Sequence, residues 1–332
     1  MTASFAAITG WGMGLPERIV TNADLERLVD TSDEWIATRT GIRERRVVGP
    51  GESTSTLATI AGRRALASAG LDPSAIDLVI LATCSPDRPF PATACTVQAN
   101  LGVRGAAFDV VAACSGFVYG LNVATAMIRS GAARNVLFIA ADVFTHYLNW
   151  QDRNTCVLFG DGAGAVVLQP SDEPYGELAC DLGSAGEHEG LLVVEAGGTR
   201  LPLTPELAEQ GKQYVSMNGR EVFKLAVRGM GDSSQRALGM LGLTTDDIAL
   251  VVPHQANIRI IEAVAKRLDL PQERMFVNLD KYGNTSAATI PIALVEAAEQ
   301  GRIRPGDHVL LTAFGGGLTW GSSVVRWGRP GS

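Results

Sequence analysis

No stretch of the chain is apolar for anything near the ~20 residues that a membrane span needs. The longest apolar runs, such as residues 78–82 and 136–141, have the size of strands. Histidine is scarce, with 4 in 332 residues, and no pair of the 5 cysteines has the spacing of a zinc site, so no metal centre is expected. Those cysteines are Cys84, Cys95, Cys114, Cys156 and Cys180. An odd number without close pairs fits a reducing compartment and leaves room for one reactive thiol. Positive charge is not in excess: 28 Lys and Arg against 35 Asp and Glu give −7. That excludes nucleic acid as the main partner, because phosphate binding needs clustered cations. The opening MTASFAAITGWG has no basic head, long apolar core or small-residue cleavage pattern. No secretory leader is expected, and the protein is expected in the cytoplasm. What is present is a large supply of core: 46% hydrophobic and 19% charged residues rule out a disordered chain or a coiled coil.

The chain reads as one unit used twice. Residues 65–71 (ALASAGL) match 237–243 (ALGMLGL), each a helix end closed by glycine. An acidic turn and an apolar strand follow each, at 76–81 and at 248–252. Phe108-Asp109-Val110, a small-residue turn, a helix ending near Gly131 and a strand at 135–141 answer to Phe276-Val277-Asn278, a helix ending near Gly301 and a strand at 308–313. FGDGAGAVVL (159–168) pairs with FGGGLTWGSSVV (314–325). Strands alternating with helices imply a parallel-rich sheet, and two such units imply a pseudo-twofold, five-layer α/β/α/β/α architecture. The halves are expected at 1–170 and 171–332, with 171–215 an irregular linker. Thr31-Ser32-Asp33-Glu34 reads as a capping box opening a helix at Trp35.

Three places could carry chemistry. Cys114 lies in AACSGF, between a strand and a helix, where helical N–H groups lower a thiol pKa. A free cysteine is more usually a small buried apolar residue, and both readings stand for Cys114; for the other four the buried reading is preferred. His254 follows the apolar run Val251-Val252-Pro253, and ligand sites in open α/β sheets lie beyond the carboxyl ends of strands. Asn284 precedes Thr285-Ser286 in the turn equivalent to that of Cys114; it is either a helix cap or a functional carboxamide. A pseudo-dyad brings equivalent turns together. A thiolate can attack an acyl thioester, while His Nε2–H and an Asn amide can stabilise the enolate left when a β-carboxylate departs as CO₂. The run Gly315-Gly316-Gly317 is either a close-approach oxyanion backbone or a tight turn. Gly160-Asp161-Gly162-Ala163-Gly164 is not a nucleotide loop, because a β segment follows it and the P-loop lysine is missing.

At these residues the chain resembles the β-ketoacyl-acyl-carrier-protein synthase III family, which starts bacterial fatty acid synthesis. The matching stretches run through the whole sequence: TSDEWIATRTGIRERR (31–46), AFDVVAACSGF (107–117), LFGDGAGA (158–165), MNGREVFKLAV (217–227), VPHQANIRII (252–261), YGNTSAAT (282–289) and AFGGGLTWG (313–321). The resemblance implies a thiolase-like fold, a homodimer, acyl-CoA as first substrate, malonyl-acyl carrier protein as second, and no resident cofactor. It implies that Cys114 is the acylated nucleophile and that His254 and Asn284 promote decarboxylation. Gly316 N–H would complete an oxyanion hole, and Phe314 would shield the malonyl carboxylate. Trp35, Arg39, Arg153, Arg220 and Asn257 would hold CoA; Arg220 stands where some members carry Asn. Phe90 would reach across the dimer to floor the partner's acyl pocket.

Two helix faces fit an acidic carrier protein. Arg220, Lys224 and Arg228 recur four apart, and Arg259, Lys266 and Arg267 follow His254. The bland alternative is a solvated helix face. Among rival activities, a thiolase would need a second Cys in the C-terminal half, and none follows Cys180. A priming ketosynthase or acyltransferase of polyketide or other secondary metabolism would use the same three side chains.

Overall fold

The structure, a computed structural model, describes residues 5–328. Met1 to Ser4, where the leader reading begins, lie outside the described residues. The first half runs β1 (Phe5–Gly14), β2 (Ile19–Thr21), α1 (Asn22–Glu26), α2 (Asp33–Thr40), β3 (Glu44–Arg46), α3 (Thr54–Ala69), β4 (Leu78–Ala82), α4 (Thr93–Leu101), β5 (Ala106–Val110), α5 (Gly116–Arg129), β6 (Val136–Val143) and β7 (Asp161–Ser171). The second runs β8 (Gly176–Ser184), β9 (Leu192–Val194), α6 (Pro205–Glu209), β10 (Val215–Met217), α7 (Gly219–Gly239), β11 (Leu250–Pro253), α8 (Ile258–Arg267), α9 (Leu279–Tyr282), α10 (Thr289–Glu299), β12 (His308–Gly315) and β13 (Thr319–Arg326).

Nine strands hydrogen-bond in the order β11-β12-β13-β8-β1-β7-β6-β4-β5. The repeat is visible in the pairing. In the first block β7 runs antiparallel between β1 and β6, and β6, β4 and β5 are parallel. In the second, β13 runs antiparallel between β8 and β12, and β12 and β11 are parallel. The fifth strand of the second block shrinks to one bridge, Val251 to Met275. The blocks meet where Ala6 of β1 pairs with Gly176 of β8. A Cβ at Gly176 would sit 1.7 Å from the Ala6 carbonyl oxygen, and its φ is +79°, so only glycine fits this seam.

Helices cover both faces of each block. α5 and α10 lie between the blocks, α3 and α4 cover the first from outside, and α7 with α8 covers the second. The five-layer α/β/α/β/α order is therefore the one the sequence implied. Burial on both faces explains why β4 is a continuous apolar run rather than an alternating one. Leu78, Ile80 and Ala82 enter the middle core with Phe117 and Ile290, while Val79 and Leu81 enter the outer core with Leu57 and Leu137. β11 divides likewise, with Leu250 and Val252 inward and Val251 outward with Ile261. Among the described residues no helix is long and apolar enough to cross a membrane. Residues 160–164, rejected above as a nucleotide loop, open the extended β7.

Two expectations need correction. Ser32 caps α2 by accepting from Trp35 N–H at 3.1 Å, but the reciprocal arm of a capping box is absent because the third helical residue is Trp35 itself. The segment 171–215 is not simply irregular, since it holds the nine-residue strand β8 inside the sheet as well as β9 and α6. The strand signal was masked by Glu177, a residue type that marks surface. Here its carboxyl is buried against Asn122 Nδ2 (2.8 Å) and Ser323 Oγ (2.9 Å), and burial pushes its pKa up to about 7.

Candidate active site

Two short 3₁₀ turns meet between the blocks, residues 113–115 before α5 and residues 286–288 before α10. Each opens with a non-glycine residue in the left-handed region, Ala113 at φ +45° and Ser286 at φ +53°. Such strained positions persist only where the surroundings impose them. The first turn is pinned by β13: Thr319 Oγ1 donates to Ala112 O at 2.9 Å, and Ser115 Oγ donates to Thr319 O at 3.1 Å. The second is tied to the first half by Asp142, whose carboxylate accepts from Ala287 N–H at 3.1 Å and from Ser85 Oγ at 2.7 Å.

The first turn carries Cys114, whose Sγ is 3.6 Å from Ser286 Oγ of the second. Burial pushes the thiol pKa up to about 12, opposed by the Ser286 contact. The expected lowering at a helix start is thus overridden in the resting site, because an anion there would lose most of its water.

His254 follows β11, where its N–H donates to Thr312 O at 2.8 Å. Its Nδ1 is 2.7 Å from Thr289 Oγ1, and Nε2 has no hydrogen-bond partner among the described residues. Burial lowers its pKa to about 3, so the imidazole is neutral. Asn284 is fixed by bridging to Phe159: its N–H donates to Leu158 O at 2.9 Å, and its carbonyl accepts from Gly160 N–H at 3.0 Å. Its Oδ1 accepts from Ser286 N–H at 2.8 Å. The side chain thus holds a local turn, the capping-like role, and Nδ2 has no hydrogen-bond partner among the described residues.

Cys114, His254 and Asn284 line one cavity of about 140 Å³, together with Phe314 and Gly315. Cys114 also lines a second, mostly apolar cavity of about 440 Å³, with Cys84, Phe144, Tyr147, Val194, Val215 and Gly316. The thiol therefore stands where two cavities meet. A Cβ on Gly315 would lie 2.6 Å from the Cys114 nitrogen, and one on Gly316 would lie 3.1 Å from Leu192 O. The close approach to the cysteine is made by Gly315, which the sequence singled out only as part of a glycine run.

The smaller cavity extends past Met217, Val222, Phe223 and Ile260 to Asn257. Asn257 Oδ1 accepts from Arg259 N–H at 2.9 Å and so caps α8. Trp35 is half-buried on α2, with the Arg39 guanidinium 4.8 Å and that of Arg153 5.0 Å from its ring centre. Arg153 also donates to Asp30 O at 2.7 Å. Arg259 donates to Thr38 O at 3.2 Å and so joins α8 to α2.

The basic faces are exposed but partly neutralised. Lys224 pairs with Glu221 at 2.8 Å, and Arg228 and Arg267 share Asp232. Arg220, Arg259 and Lys266 form no ion pair among the described residues. Phe90 stands 84% exposed.

Sequence reasoning gave no role to Ser286, Thr289 and Asp142, and it read Cys84, which is half-buried and lines the larger cavity, as a buried apolar residue. Ser286 and Thr289 had a signal, since TSAAT follows Asn284 directly, but Ser and Thr at a helix start read as caps.

Known proteins resemble this chain over nearly its whole length. Residues 108–186 match the family model for 3-oxoacyl-[acyl-carrier-protein (ACP)] synthase III, and residues 238–327 match the model for its C-terminal part. A β-ketoacyl-[acyl-carrier-protein] synthase III of Roseiflexus sp. (strain RS-1) is 74% identical over 98% of this chain and 99% of that protein. The crystal structure of 3-oxoacyl-[acyl-carrier-protein] synthase III from Aquifex aeolicus VF5 superposes with a TM-score of 0.90 at 48% identity, covering 97% of this chain and 100% of that one. The priming β-ketosynthase of the R1128 polyketide pathway superposes equally well, with a TM-score of 0.91 over 99% of this chain and 98% of that one, but at 34% identity. The fold is common to both kinds of relative, and the Roseiflexus and Aquifex synthases are the more identical at 74% and 48%. The chain belongs to the β-ketoacyl-[acyl-carrier-protein] synthase III family of thiolase-fold condensing enzymes.

Proposed function

We propose that this chain joins an acyl-CoA primer to malonyl-acyl carrier protein in two steps at one thiol, opening fatty acid synthesis. In the first, Cys114 Sγ attacks the acyl-CoA thioester carbonyl. CoA leaves with the proton, and the acyl group lodges in the larger, apolar cavity. In the second, the malonyl thioester enters the smaller cavity. Its carboxylate leaves as CO₂, and the electron pair of the broken bond forms an enolate. His254 Nε2–H and Asn284 Nδ2–H donate to the enolate oxygen, a stabilisation whose removal costs roughly 10²–10³-fold in comparable oxyanion sites. The enolate carbon attacks the Cys114 thioester, gives the β-ketoacyl carrier protein, and frees the sulfur.

Phe314 lines the cavity beside the two donors and presents an apolar face to the malonyl carboxylate, which favours neutral CO₂ over the anion. Backbone N–H groups of Cys114 and Gly316 stabilise the tetrahedral oxyanions. Trp35 with Arg39 and Arg153 offers a stacking face and cations for the adenine and phosphates of CoA, with Arg220 and Asn257 along the approach. Arg259, Arg220 and Lys266, with the partly paired Lys224, Arg228 and Arg267, face the acidic carrier protein. The active form is a homodimer. Its support is the unpaired outer edge of β5 at the end of the sheet, with Val111 beyond it 75% exposed and Phe90 standing free to enter the partner's acyl cavity. The reading requires no resident cofactor, since acyl-CoA is a substrate. The two halves, 1–170 and 171–332, divide the work, the first contributing the nucleophile and the second the donors.

The observation that carries this reading is that thiol, imidazole and carboxamide line one cavity. Its test is to mix the protein with acetyl-CoA, digest it, and locate the added acyl mass. The expected site is the peptide containing Cys114; an unmodified Cys114 peptide, or acyl on another residue, sinks the reading.

A further inference from the structure

We propose that Thr289 is a positioning residue whose hydroxyl donates to Nδ1 of His254, holding the imidazole as the tautomer that carries its proton on Nε2. The inference rests on the reading of His254 as a hydrogen-bond donor to the enolate, and it names what makes the histidine a donor rather than a base.

A neutral imidazole has one N–H, on either nitrogen. His254 is 3% exposed and Thr289 2%, so water does not reach the bond between them. Among the described residues Nδ1 has a single partner, Thr289 Oγ1 at 2.7 Å. The threonine hydroxyl owns one proton and has two acceptors within reach, Nδ1 at 2.7 Å and the Ser286 carbonyl at 3.1 Å. That carbonyl already receives the backbone N–H of Thr289. It does not need the hydroxyl, and the shorter contact lies at the optimum for an O–H donor. The proton goes to Nδ1, which must then be the bare nitrogen, and Nε2 carries the hydrogen toward the cavity.

The chemical type of the partner matters. In a Ser-His-Asp arrangement a carboxylate accepts from Nδ1–H, stabilises imidazolium and leaves Nε2 bare as a base. No carboxylate hydrogen-bonds to His254 among the described residues. The carboxylate of Asp142, which holds the second turn, is spent on Ala287 N–H, Ser85 and Thr83. A donating hydroxyl does the opposite of a carboxylate, since it fixes the neutral ring with Nε2–H outward. Burial, which lowers the imidazole pKa, acts in the same direction. The arrangement suits a step that needs a hydrogen bond to an oxyanion, and does not suit proton abstraction from Cys114.

The test uses the full-length protein with ¹⁵N-labelled histidine and a long-range ¹H–¹⁵N correlation, which reports the protonated nitrogen. The His254 signal is assigned by its loss in His254→Asn. Wild type and Thr289→Ser are expected to give the Nε2–H pattern. Thr289→Val, similar in shape but without the hydroxyl, is expected to lose it. CO₂ release from malonyl-acyl carrier protein should then fall about tenfold, the size of one lost hydrogen bond, while acylation of Cys114 by acyl-CoA is unchanged; Thr289→Ser restores release. A proton on Nδ1 in the wild type overturns the proposal without any variant, and so does Thr289→Val with the Nε2–H pattern and full CO₂ release. Should His254→Asn itself release CO₂ at the wild-type rate, the role assigned to His254 falls instead, and the tautomer remains as measured.

Discussion

Residues 113–115 and 286–288 follow the same backbone plan, each opened by a residue with positive φ and each leading into a central helix. Their surroundings differ. The first turn is poor in polar side chains and presents a thiol among alanines, while the second is flanked by Asn284 and Thr289 and begins with Ser286. Duplication supplied two equivalent stages facing one another, and the sequence then placed a thiol on one and amide and hydroxyl side chains on the other. The halves diverge at their outer edges too. β5 is a full strand with a free edge, whereas its counterpart is a single bridge at Met275.

The largest expected effect bears on the first turn. A thiol governed by its helix start would be mostly thiolate near neutrality; one governed by burial, with a pKa of about 12, is protonated there. Alkylation of Cys114 by iodoacetamide should rise about tenfold per pH unit, roughly 1,000-fold from pH 7 to 10, without levelling. A plateau below pH 9 breaks the contrast between burial and helix start. Gly315→Ala sharpens the contrast between the two turns. A methyl 2.6 Å from the Cys114 nitrogen must displace the first turn and its oxyanion backbone. Acylation should fall about 100-fold, with CO₂ release far less affected; equal loss of both would show that the turns do not act separately. The smallest effect lies on the outer helices. Arg259→Glu should raise the KM for malonyl-acyl carrier protein several-fold, about 1 kcal/mol for a charge at an interface rim. Lys224→Glu should raise it less, because Lys224 is already held by Glu221. Steady-state kinetics with the reverse order, or with no change, would remove the basic face as the docking surface.

The repeat was legible because its punctuation is local: glycines such as Gly70 close helices, and doubly covered strands are continuous apolar runs. β8 was not, because Glu177 is buried by partners, Asn122 and Ser323, that only the folded sheet supplies. That Cys114, His254 and Asn284 line one cavity could be expected from residue type and place in the repeat. The sign of the thiol's pKa could not, since it depends on burial against a turn 172 residues away. Thr289 was hidden for a similar reason: its hydroxyl looks like a helix-start device until the imidazole beside it is seen.

The division of labour between the turns is tested most directly by measuring acyl occupancy and CO₂ release in two variants side by side. Cys114→Ala is expected to take up no acyl group from acyl-CoA yet still release CO₂ from malonyl-acyl carrier protein. Asn284→Ala is expected to acylate fully while CO₂ release falls by about 10²-fold or more. Loss of both activities in both variants, or undiminished CO₂ release in Asn284→Ala, would contradict it.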